Sequence, residues 1–270
     1  MTCKKGNPIY AMTKKKITLK EMQRIELDML LELQQICENH KLRYYIDGGT
    51  LLGAFCYGGF IPWDDDIDVK MPRPDYEQLV KYRSEFSPHI QLVRPEEDGF
   101  RYSFTKLMDN RTILIENPGK KNEHRGGVYV DILPMDGHQI GCMRKLERYK
   151  TLYHISKSGF PDTIKGRIYS VLYHPESVYK RMTKLARQCD YDQAEYVGLL
   201  IDGDAEKERF TRKSLDHCVK LSFEGHHFPA SSEYREHLVK FYGEHVLQSE
   251  GKGNLPRYPS GHRYEVYWKE

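Results

Sequence analysis

The sequence predicts an α+β fold, in which a mixed β-sheet with flanking helices forms the N-terminal half and helices dominate the C-terminal half. The hydrophobic period changes from three or four residues to two near residue 42, which indicates a helix followed by a strand. Helical periodicity then prevails beyond residue 141. A length of 270 residues, 39% of them hydrophobic, suffices for one large domain or two small ones.

Composition and charge exclude several classes of protein. The chain has 42 Lys and Arg residues against 39 Asp and Glu residues, a net charge of +3, which provides no strong cationic excess for binding nucleic acid. No stretch approaches the roughly 18 apolar residues of a membrane span. The six cysteines are widely spaced, which argues against a zinc site or a disulfide scaffold and favours a reducing cytoplasm.

The first elements are a helix and a strand. Residues 1–16 are basic and lack the apolar stretch of a secretory signal, so we expect a loose leader. Thr18 and Glu21 have the spacing of a capping box, and apolar residues at three- and four-residue steps predict a helix to about His40. Residues 42–47 alternate between apolar and polar side chains and predict a strand that ends at a Gly-Gly pair.

The remaining elements follow from the same patterns. Glycine and proline breaks delimit them, and apolar periodicity assigns each one to a helix or a strand. The predicted helices are 50–55, 75–86, 142–157, 175–190 and 233–242, and the predicted strands are 60–71, 90–93, 102–108 with 112–115, and 128–133. Between the last two strands, a polar loop at 116–127 is long enough to act as a lid.

Three aspartates lie at alternate positions of the strand predicted at 60–71. Asp64, Asp66 and Asp68 therefore share one face of that strand, while its apolar residues point into the core. Two carboxylates about 5 Å apart repel by about 3 kcal/mol at an effective dielectric constant near 20, so the stack needs a cation. Mg²⁺ or Mn²⁺ suits such oxygen ligands. The alternative is a solvated acidic turn.

A further carboxylate lies inside the strand predicted at 128–133. Asp131 has an apolar residue on each side, and an isolated carboxylate in an apolar strand is costly unless it meets a metal or a partner. We expect Asp131 to complete a metal site with Asp64, Asp66 and Asp68. The alternative is a structural acid that caps the following turn.

The glycine pair joins a strand to a helix. Gly48 and Gly49 allow the backbone to approach a ligand closely, and the helix N-terminus that follows offers unpaired amides to an anion. Thr50 adds a hydroxyl group. A phosphate-binding turn one hairpin upstream of a D-x-D strand is the layout of the nucleotidyltransferase superfamily. We therefore expect these three residues to bind the phosphates of a substrate.

Together these motifs resemble the signature of the LicD family, which includes bacterial phosphocholine transferases and is similar to the fukutin-type ribitol-phosphate transferases. The resemblance runs from about Thr18 to the C-terminus. It is most specific in the glycine turn, the aspartate strand and the residues that follow them, and less so in the tail. The matching segments are Gly48–Ala54, Gly59–Asp68, Met71–Arg73, Asp75–Tyr76, Asp131–Gly137, Phe223–Gly225 and Tyr267–Lys269.

The resemblance implies a metal-dependent transfer of phosphocholine from CDP-choline to a hydroxyl of a cell-surface glycan or its lipid-linked precursor, with release of CMP. Asp66 and Asp68 would hold Mg²⁺ on the diphosphate, and Asp131 would complete the site or accept the proton of the attacking hydroxyl. The implied organisation is a nucleotidyltransferase-like catalytic core at 17–140 and a mostly helical part at 141–270 that completes the acceptor side.

Further substrate-binding residues are expected around these motifs. Family members commonly carry a basic residue where this chain has Phe55–Gly58, so the donor phosphate must meet another cation. Lys106 is the candidate, with Arg73 behind it; the alternative for Lys106 is a solvated strand lysine. The aromatic content of 12% suits a cation–π cage for choline, and Trp63 is among the aromatic residues near the motifs, although core packing explains most tyrosines equally well.

Two other interpretations stay open for the sequence. One keeps the fold and the chemistry but changes the donor to another CDP-activated polyol or sugar phosphate. The other is a non-catalytic module that binds a phosphorylated ligand, which the stacked carboxylates disfavour because a binder has no need of them. For the enzyme we expect a cytoplasmic location with transient contact at the inner membrane face, assisted by Lys14–Lys16.

Overall fold

The structure is a computed structural model that describes residues 15–95, 97, 102–120, 123–138, 140–158, 168, 173–203, 205–255 and 264–269. It contains a mixed sheet with helices around it, which confirms the predicted α+β class. Most of the predicted leader lies outside the described residues. Its last two residues pair with the other end of the chain: Lys16 forms a β-bridge with Tyr267, and the Trp268 amide donates to the Lys15 carbonyl at 3.0 Å.

The longest helix begins where the sequence predicts. The Glu21 amide donates to the Thr18 hydroxyl, and the Thr18 amide donates to the Glu21 carboxylate, so the capping box is formed. The α-helices in the described ranges are α1 (Leu19–His40), α2 (Gly48–Tyr57), α3 (Arg73–Leu79), α4 (Ile140–Ser158), α5 (Pro175–Ala186), α6 (Arg212–Asp216) and α7 (Tyr234–Tyr242).

The described strands form one mixed sheet of eight strands and a separate hairpin. They are β1 (Tyr45–Ile46), β2 (Asp68–Pro72), β3 (Ile90–Val93), β4 (Thr105–Glu116), β5 (His124–Gly137), β6 (Tyr196–Gly198), β7 (Phe210–Thr211), β8 (Val219–Phe223), β9 (His226–Ala230) and β10 (Tyr264–Trp268). The sheet runs in the order β1, β2, β5, β4, β10, with β3 also on β4, β6 also on β5, and β7 on β6. The β2–β5 pair is parallel and the other pairs are antiparallel. Strands β8 and β9 form the hairpin.

The main core lies between α1 and the sheet. Helix α1 packs against β4 and β5, and its buried face carries Met22, Ile25, Met29 and Leu33 at steps of three and four residues. Helices α4 and α5 pack on each other around a smaller apolar cluster. In the described ranges, none of the helices combines the length and the hydropathy that a membrane span requires.

The second strand is shorter than the sequence predicts, because β2 begins only at Asp68. Pro62 has no amide hydrogen for a ladder, and the Asp64 amide donates back to the Ile61 carbonyl at 2.9 Å. The chain before β2 is therefore a turn followed by an irregular segment. The prediction that Asp64 and Asp66 occupy strand positions was wrong.

The C-terminal half contributes short strands in addition to its helices. Strand β10 pairs with β4, which brings the end of the chain into the sheet of the N-terminal half. The division into a core at 17–140 and a second part at 141–270 stays a prediction. The loop predicted at 116–127 is shorter than expected, because β5 begins at His124.

Candidate active site

Two aspartates lie side by side where strands β2 and β5 begin to pair. Asp68 is the first residue of β2 and is the register partner of Asp131 in the parallel pair. The Asp131 amide donates to the Ile67 carbonyl at 2.8 Å, so the pairing extends one residue upstream of the strand. Two of the predicted metal ligands are thereby fixed on adjacent strands.

The other predicted ligands lie in the irregular segment before β2. One carboxylate oxygen each of Asp64, Asp65 and Asp66 lies within 4.8 Å of the others. Gln23 on α1 holds this segment, because its side-chain amide donates to the Asp64 carbonyl oxygen at 2.9 Å. The structure thus brings Asp64 and Asp66 to the start of β2 through a loop, and it adds Asp65, which the sequence analysis did not predict.

The glycine turn packs directly against these carboxylates. Gly48 has a φ of +56°, and a side-chain carbon at this position would collide with Asp68 Oδ2. A side-chain carbon at Gly49 would lie 2.7 Å from Asp64 Oδ2. The absence of both side chains places the two carboxylates against the N-terminus of α2, where the helix dipole stabilises negative charge.

Thr50 has a structural role that was not predicted. Its Oγ1 accepts a hydrogen bond from the Asp68 amide at 2.9 Å, and the residue is only 2% exposed. The hydroxyl thereby fixes the backbone of Asp68. Its contact with a phosphate stays a prediction.

Burial and mutual repulsion raise the pKa values of the aspartates. Burial, followed by the charges of Asp66 and Asp65, raises the pKa of Asp64 to about 7. Burial also raises the pKa of Asp131 to about 6, although Lys106 opposes the rise. The pKa of Asp68 lies well above its usual value, again mainly because of burial. The cluster therefore carries more negative charge than its surroundings stabilise.

Lys106 is a buried cation within the site. It is 1% exposed, and its Nζ lies 2.6 Å from Asp131 Oδ1. The alternative of a solvated strand lysine was wrong, because β4 pairs with β5 so that Lys106 is the register partner of Asp131. Its contact with a donor phosphate stays a prediction.

A cavity of about 310 Å³ opens beside this ion pair. Lys106 lines it together with aromatic rings from β5, β10 and the segment before β4. Its acidic lining residues are Asp65, Asp66, Glu116 and Asp131. The cavity thus joins the carboxylates of the predicted metal site to an aromatic wall.

Two predicted substrate-binding residues lie elsewhere. Arg73, at the start of α3, forms a buried bidentate ion pair with Asp136 at 2.8 and 2.6 Å. Its guanidinium is thus engaged by Asp136, and a contact of Arg73 with a donor phosphate stays a prediction. Trp63 packs edge-to-face on Tyr57 at 6.4 Å and lines a separate cavity of about 50 Å³.

The structure also reveals a carboxyl group that the sequence analysis missed. Glu26 lies on the buried face of α1 with no exposed surface, and neither of its oxygens has a hydrogen-bond partner among the described residues. Burial, followed by the charges of Asp66 and Asp65, raises its pKa well above the usual value. The signal in the sequence was the position of Glu26 in the apolar phase of α1, beside Ile25.

A second acidic cluster surrounds Lys70, two residues after Asp68 on β2. The Lys70 ammonium forms ion pairs with Asp47 and Glu208, and His237 Nε2 lies 3.0 Å from Asp47 Oδ1. All four residues are buried. Because Asp47 directly precedes the glycine turn, this cluster anchors the turn to the C-terminal half. Its members lie far apart in the sequence, which is why no local pattern predicted it.

The donor set around Asp68 fits a divalent cation. The available donors are carboxylate oxygens, the ligands that Mg²⁺ and Mn²⁺ prefer, and burial together with repulsion between neighbouring aspartates raises the pKa values of Asp64, Asp68 and Asp131. Asp66, Asp68 and Asp131, with Asp64 beside the glycine turn, are the residues that would hold the ion.

Comparison with known proteins places these motifs in a family. The family described as "LicD/FKTN/FKRP, nucleotidyltransferase domain" matches residues 41–164. The lipopolysaccharide cholinephosphotransferase LicD of Haemophilus influenzae is 30% identical over 249 residues, which cover 86% of this chain and 92% of that protein. The chain belongs to the LicD family. The LicD match contains the glycine turn, the aspartates and Lys106, so the site described above lies within the family domain.

Other relatives share only part of their length with this LicD-family chain. Mannosyltransferase regulator 4 of Saccharomyces cerevisiae is 29% identical over 110 residues, which cover 38% of this chain and 9% of that protein. An uncharacterised protein of Rickettsia prowazekii is 24% identical over 172 residues, which cover 56% of this chain and 58% of that protein.

Proposed function

We propose that the protein transfers phosphocholine from CDP-choline to a hydroxyl of a cell-surface glycan or its lipid-linked precursor, and releases CMP. The observation that carries the proposal is the Asp68–Asp131 pair, which lies against the N-terminus of α2 inside the span that matches the LicD family. The relative from H. influenzae is named as a lipopolysaccharide cholinephosphotransferase. Its name supports phosphocholine as the transferred group and a lipopolysaccharide-type acceptor.

Membership of the LicD family makes the chain a phosphotransferase enzyme. The charge of the site supports catalysis over recognition. A module that only bound a phosphorylated ligand would gather cations at its site, whereas here buried carboxylates would repel the ligand unless a metal ion accompanied it.

Residues of the chain itself supply positioning and charge for the proposed reaction. The donor diphosphate would lie against the N-terminus of α2, where Gly48 and Gly49 leave room for a close approach. Lys106 is held beside Asp131 and would neutralise charge on the phosphoryl group. Asp131 would either complete the metal site or accept the proton of the attacking hydroxyl.

A divalent cation is part of the proposal. Asp66, Asp68 and Asp131, with Asp64 nearby, would hold Mg²⁺ or Mn²⁺. When bound, the ion neutralises charge on the diphosphate and stabilises the departing CMP.

We also place the reaction at the cytoplasmic face of the inner membrane, where a lipid-linked glycan precursor would be presented. Lys15 and Lys16 are exposed. With Lys14 they would add roughly 1 kcal/mol of attraction per charge near an anionic surface.

Release of CMP tests the proposed function. Purified protein with Mg²⁺, lipopolysaccharide acceptor and CDP-choline should release CMP, and an excess of EDTA should stop the release. CDP-ethanolamine, CDP-ribitol and CDP-glycerol form the comparison panel. We expect CDP-choline to be the preferred donor.

The outcomes of this assay separate the donor from the chemistry. Metal-dependent release from a polyol donor alone would keep the transferase and replace phosphocholine as the transferred group. No release from any donor in the presence of acceptor would contradict the proposed function.

A further inference from the structure

The aromatic rings beside Lys106 already hold a cation. The Lys106 Nζ lies 3.2 Å from the centroid of the Tyr129 ring, 4.1 Å from that of Tyr102 and 5.4 Å from that of Phe104. Cations are attracted to ring faces within about 6 Å. All three rings also line the cavity of about 310 Å³ and are partly exposed. The aromatic wall of the cavity is therefore arranged to face positive charge.

A fourth ring and a carboxylate extend this wall. Tyr264 on β10 lines the same cavity and is the register partner of Glu116, the last residue of β4. Glu116 accepts a hydrogen bond from the Tyr102 hydroxyl, which fixes the acid beside the rings. Ring faces with an adjacent acid suit a quaternary ammonium ion, because its methyl groups pack on the rings and it has no N–H groups to satisfy.

The charges of the residues that line the cavity also favour a cationic ligand. Among the described residues that line it, four are acids, Asp65, Asp66, Asp131 and Glu116, and Lys106 is the one cation. A divalent ion at the aspartates would still leave Glu116 to be balanced by a cationic ligand. A polyol or sugar head group is neutral and would leave the charge of Glu116 unbalanced.

The size of the cavity fits a phosphocholine unit. A volume of about 310 Å³ corresponds to about ten water molecules at roughly 30 Å³ each. That space accommodates a trimethylammonium group, its two-carbon link and one phosphate, and leaves the nucleotide outside. The phosphate would lie at the end formed by Lys106 and Asp131, which are ion-paired.

We propose that this cavity is a quaternary-ammonium subsite, in which Tyr102, Phe104, Tyr129 and Tyr264 bind the trimethylammonium group and Glu116 balances its charge. The proposal rests on the proposed function in one respect, because it assigns the ammonium group to the transferred phosphocholine. It makes the aromatic wall the determinant of donor choice.

Calorimetric titration of the full chain with choline and with 3,3-dimethylbutanol, its uncharged isostere, tests the subsite in the presence of Mg²⁺. The two ligands have nearly the same shape and differ in charge. Attraction to the rings and to Glu116 should make choline bind about tenfold more tightly. Equal affinities, or no binding of choline, would overturn the proposal.

Variants at Tyr102 test whether the face of its ring contributes to the affinity for choline. Tyr102→Leu removes the face and should weaken choline binding about tenfold, whereas Tyr102→Phe keeps the face and should weaken it less. Tyr196→Leu removes an exposed tyrosine outside the cavity lining and is the matched control. Thermal unfolding of each variant verifies the fold. An unchanged affinity in Tyr102→Leu, or equal losses in both Tyr102 variants, would overturn the proposal.

The CMP assay on the same variants separates this subsite from the proposed function. Choline binding that depends on Tyr102, without turnover of any CDP donor, would retain the subsite and contradict the transferase. Turnover of CDP-choline that is unchanged in Tyr102→Leu would retain the transferase and overturn the subsite. Binding to phosphatidylcholine vesicles that requires Tyr102 and is not displaced by CDP-choline would assign the ammonium group to a lipid and overturn its assignment to the donor.

Discussion

Two acidic clusters lie along strand β2, and they differ in the cations that balance them. The closed cluster consists of Asp47, Lys70, Glu208 and His237, and in it the Lys70 ammonium contacts both carboxylates. His237 is neutral near pH 7, because burial and the charge of Lys70 lower its pKa to about 3, and it lies 3.0 Å from Asp47. In the closed cluster one ammonium thus contacts both acids, which leaves an excess of one negative charge.

The open cluster consists of Asp64, Asp65, Asp66, Asp68 and Asp131. Lys106 pairs with Asp131, and burial followed by repulsion from neighbouring aspartates raises the pKa values of Asp64 and Asp68. Geometry alone does not separate the two clusters, because each brings three side chains of the metal-ligand type within 4.8 Å. The two clusters differ in the size of the charge deficit, because the closed cluster has one ion-paired cation for two acids and the open cluster has one for five.

The largest expected effect comes from removing a charge of the open cluster. Asp68→Asn should lower metal-dependent CMP release by roughly 10³-fold, because the acid both faces the glycine turn and contributes to the metal site. Asp216→Asn changes an exposed acid outside both clusters and should retain activity. Full activity in purified, folded Asp68→Asn protein would remove this residue from the site.

Breaking the closed cluster should affect stability next most strongly. Lys70→Met leaves the Asp47 and Glu208 carboxylates buried without their cation, and we expect a loss of about 3–5 kcal/mol in the free energy of unfolding. Urea denaturation measures the loss. The double variant Lys70→Met/Glu208→Gln should recover part of it, and strictly additive losses would contradict the coupling between the two residues.

Stability of the metal-free protein should depend on pH through the open cluster. The folded-state pKa values of Asp64 and Asp131 are raised to about 7 and about 6, so the folded protein retains protons that the unfolded chain has already released. Their contribution to stability is therefore present below about pH 4 and is lost as the pH rises to about 7. With EDTA, the difference between wild type and Asp64→Asn should change by a few kcal/mol over this range. A difference that is independent of pH would contradict the raised values.

The smallest effect is expected at Glu26. Its pKa is raised well above the usual value, so ionisation at high pH opposes folding. Glu26→Gln removes that charge and should stabilise the metal-free protein by about 1 kcal/mol at pH 8, with little effect at pH 5. Glu38→Gln on the exposed face of α1 is the control. Equal effects of Glu26→Gln at both pH values would indicate that the charge of Glu26 plays no part.

Local patterns predicted the elements whose stabilising contacts are local. The capping box and the apolar periodicity predicted α1 almost to the residue, and the alternation at Ile90–Val93 predicted β3. The same reasoning misplaced the start of β2, because Pro62 and the packing of the glycine turn against Asp64 override the alternation of acids. Tertiary contacts, and not the alternation of side chains along the sequence, determine the conformation of the segment before β2.

The sequence predicted those residues of the site that lie within recognisable motifs. The acids Asp64, Asp66, Asp68 and Asp131 were expected together, and the structure brings them to the start of β2. The ion pair between Arg73 and Asp136 was not expected. The motifs that contain these two residues were assigned to the site as a whole, and a motif does not indicate which of its side chains pair. Partners such as Glu208 and His237 come from distant parts of the chain, and no periodicity links them to Lys70.

Binding of Mn²⁺ tests the contrast between the open and the closed cluster most directly, because it measures, in the absence of substrate, which cluster binds a cation. Titration of the metal-free protein, with free Mn²⁺ followed by electron paramagnetic resonance, should show binding to wild type and a loss of at least about tenfold in affinity in Asp68→Asn. His237→Gln in the closed cluster should bind Mn²⁺ as wild type does. Binding that is retained in Asp68→Asn and lost in His237→Gln would contradict the account.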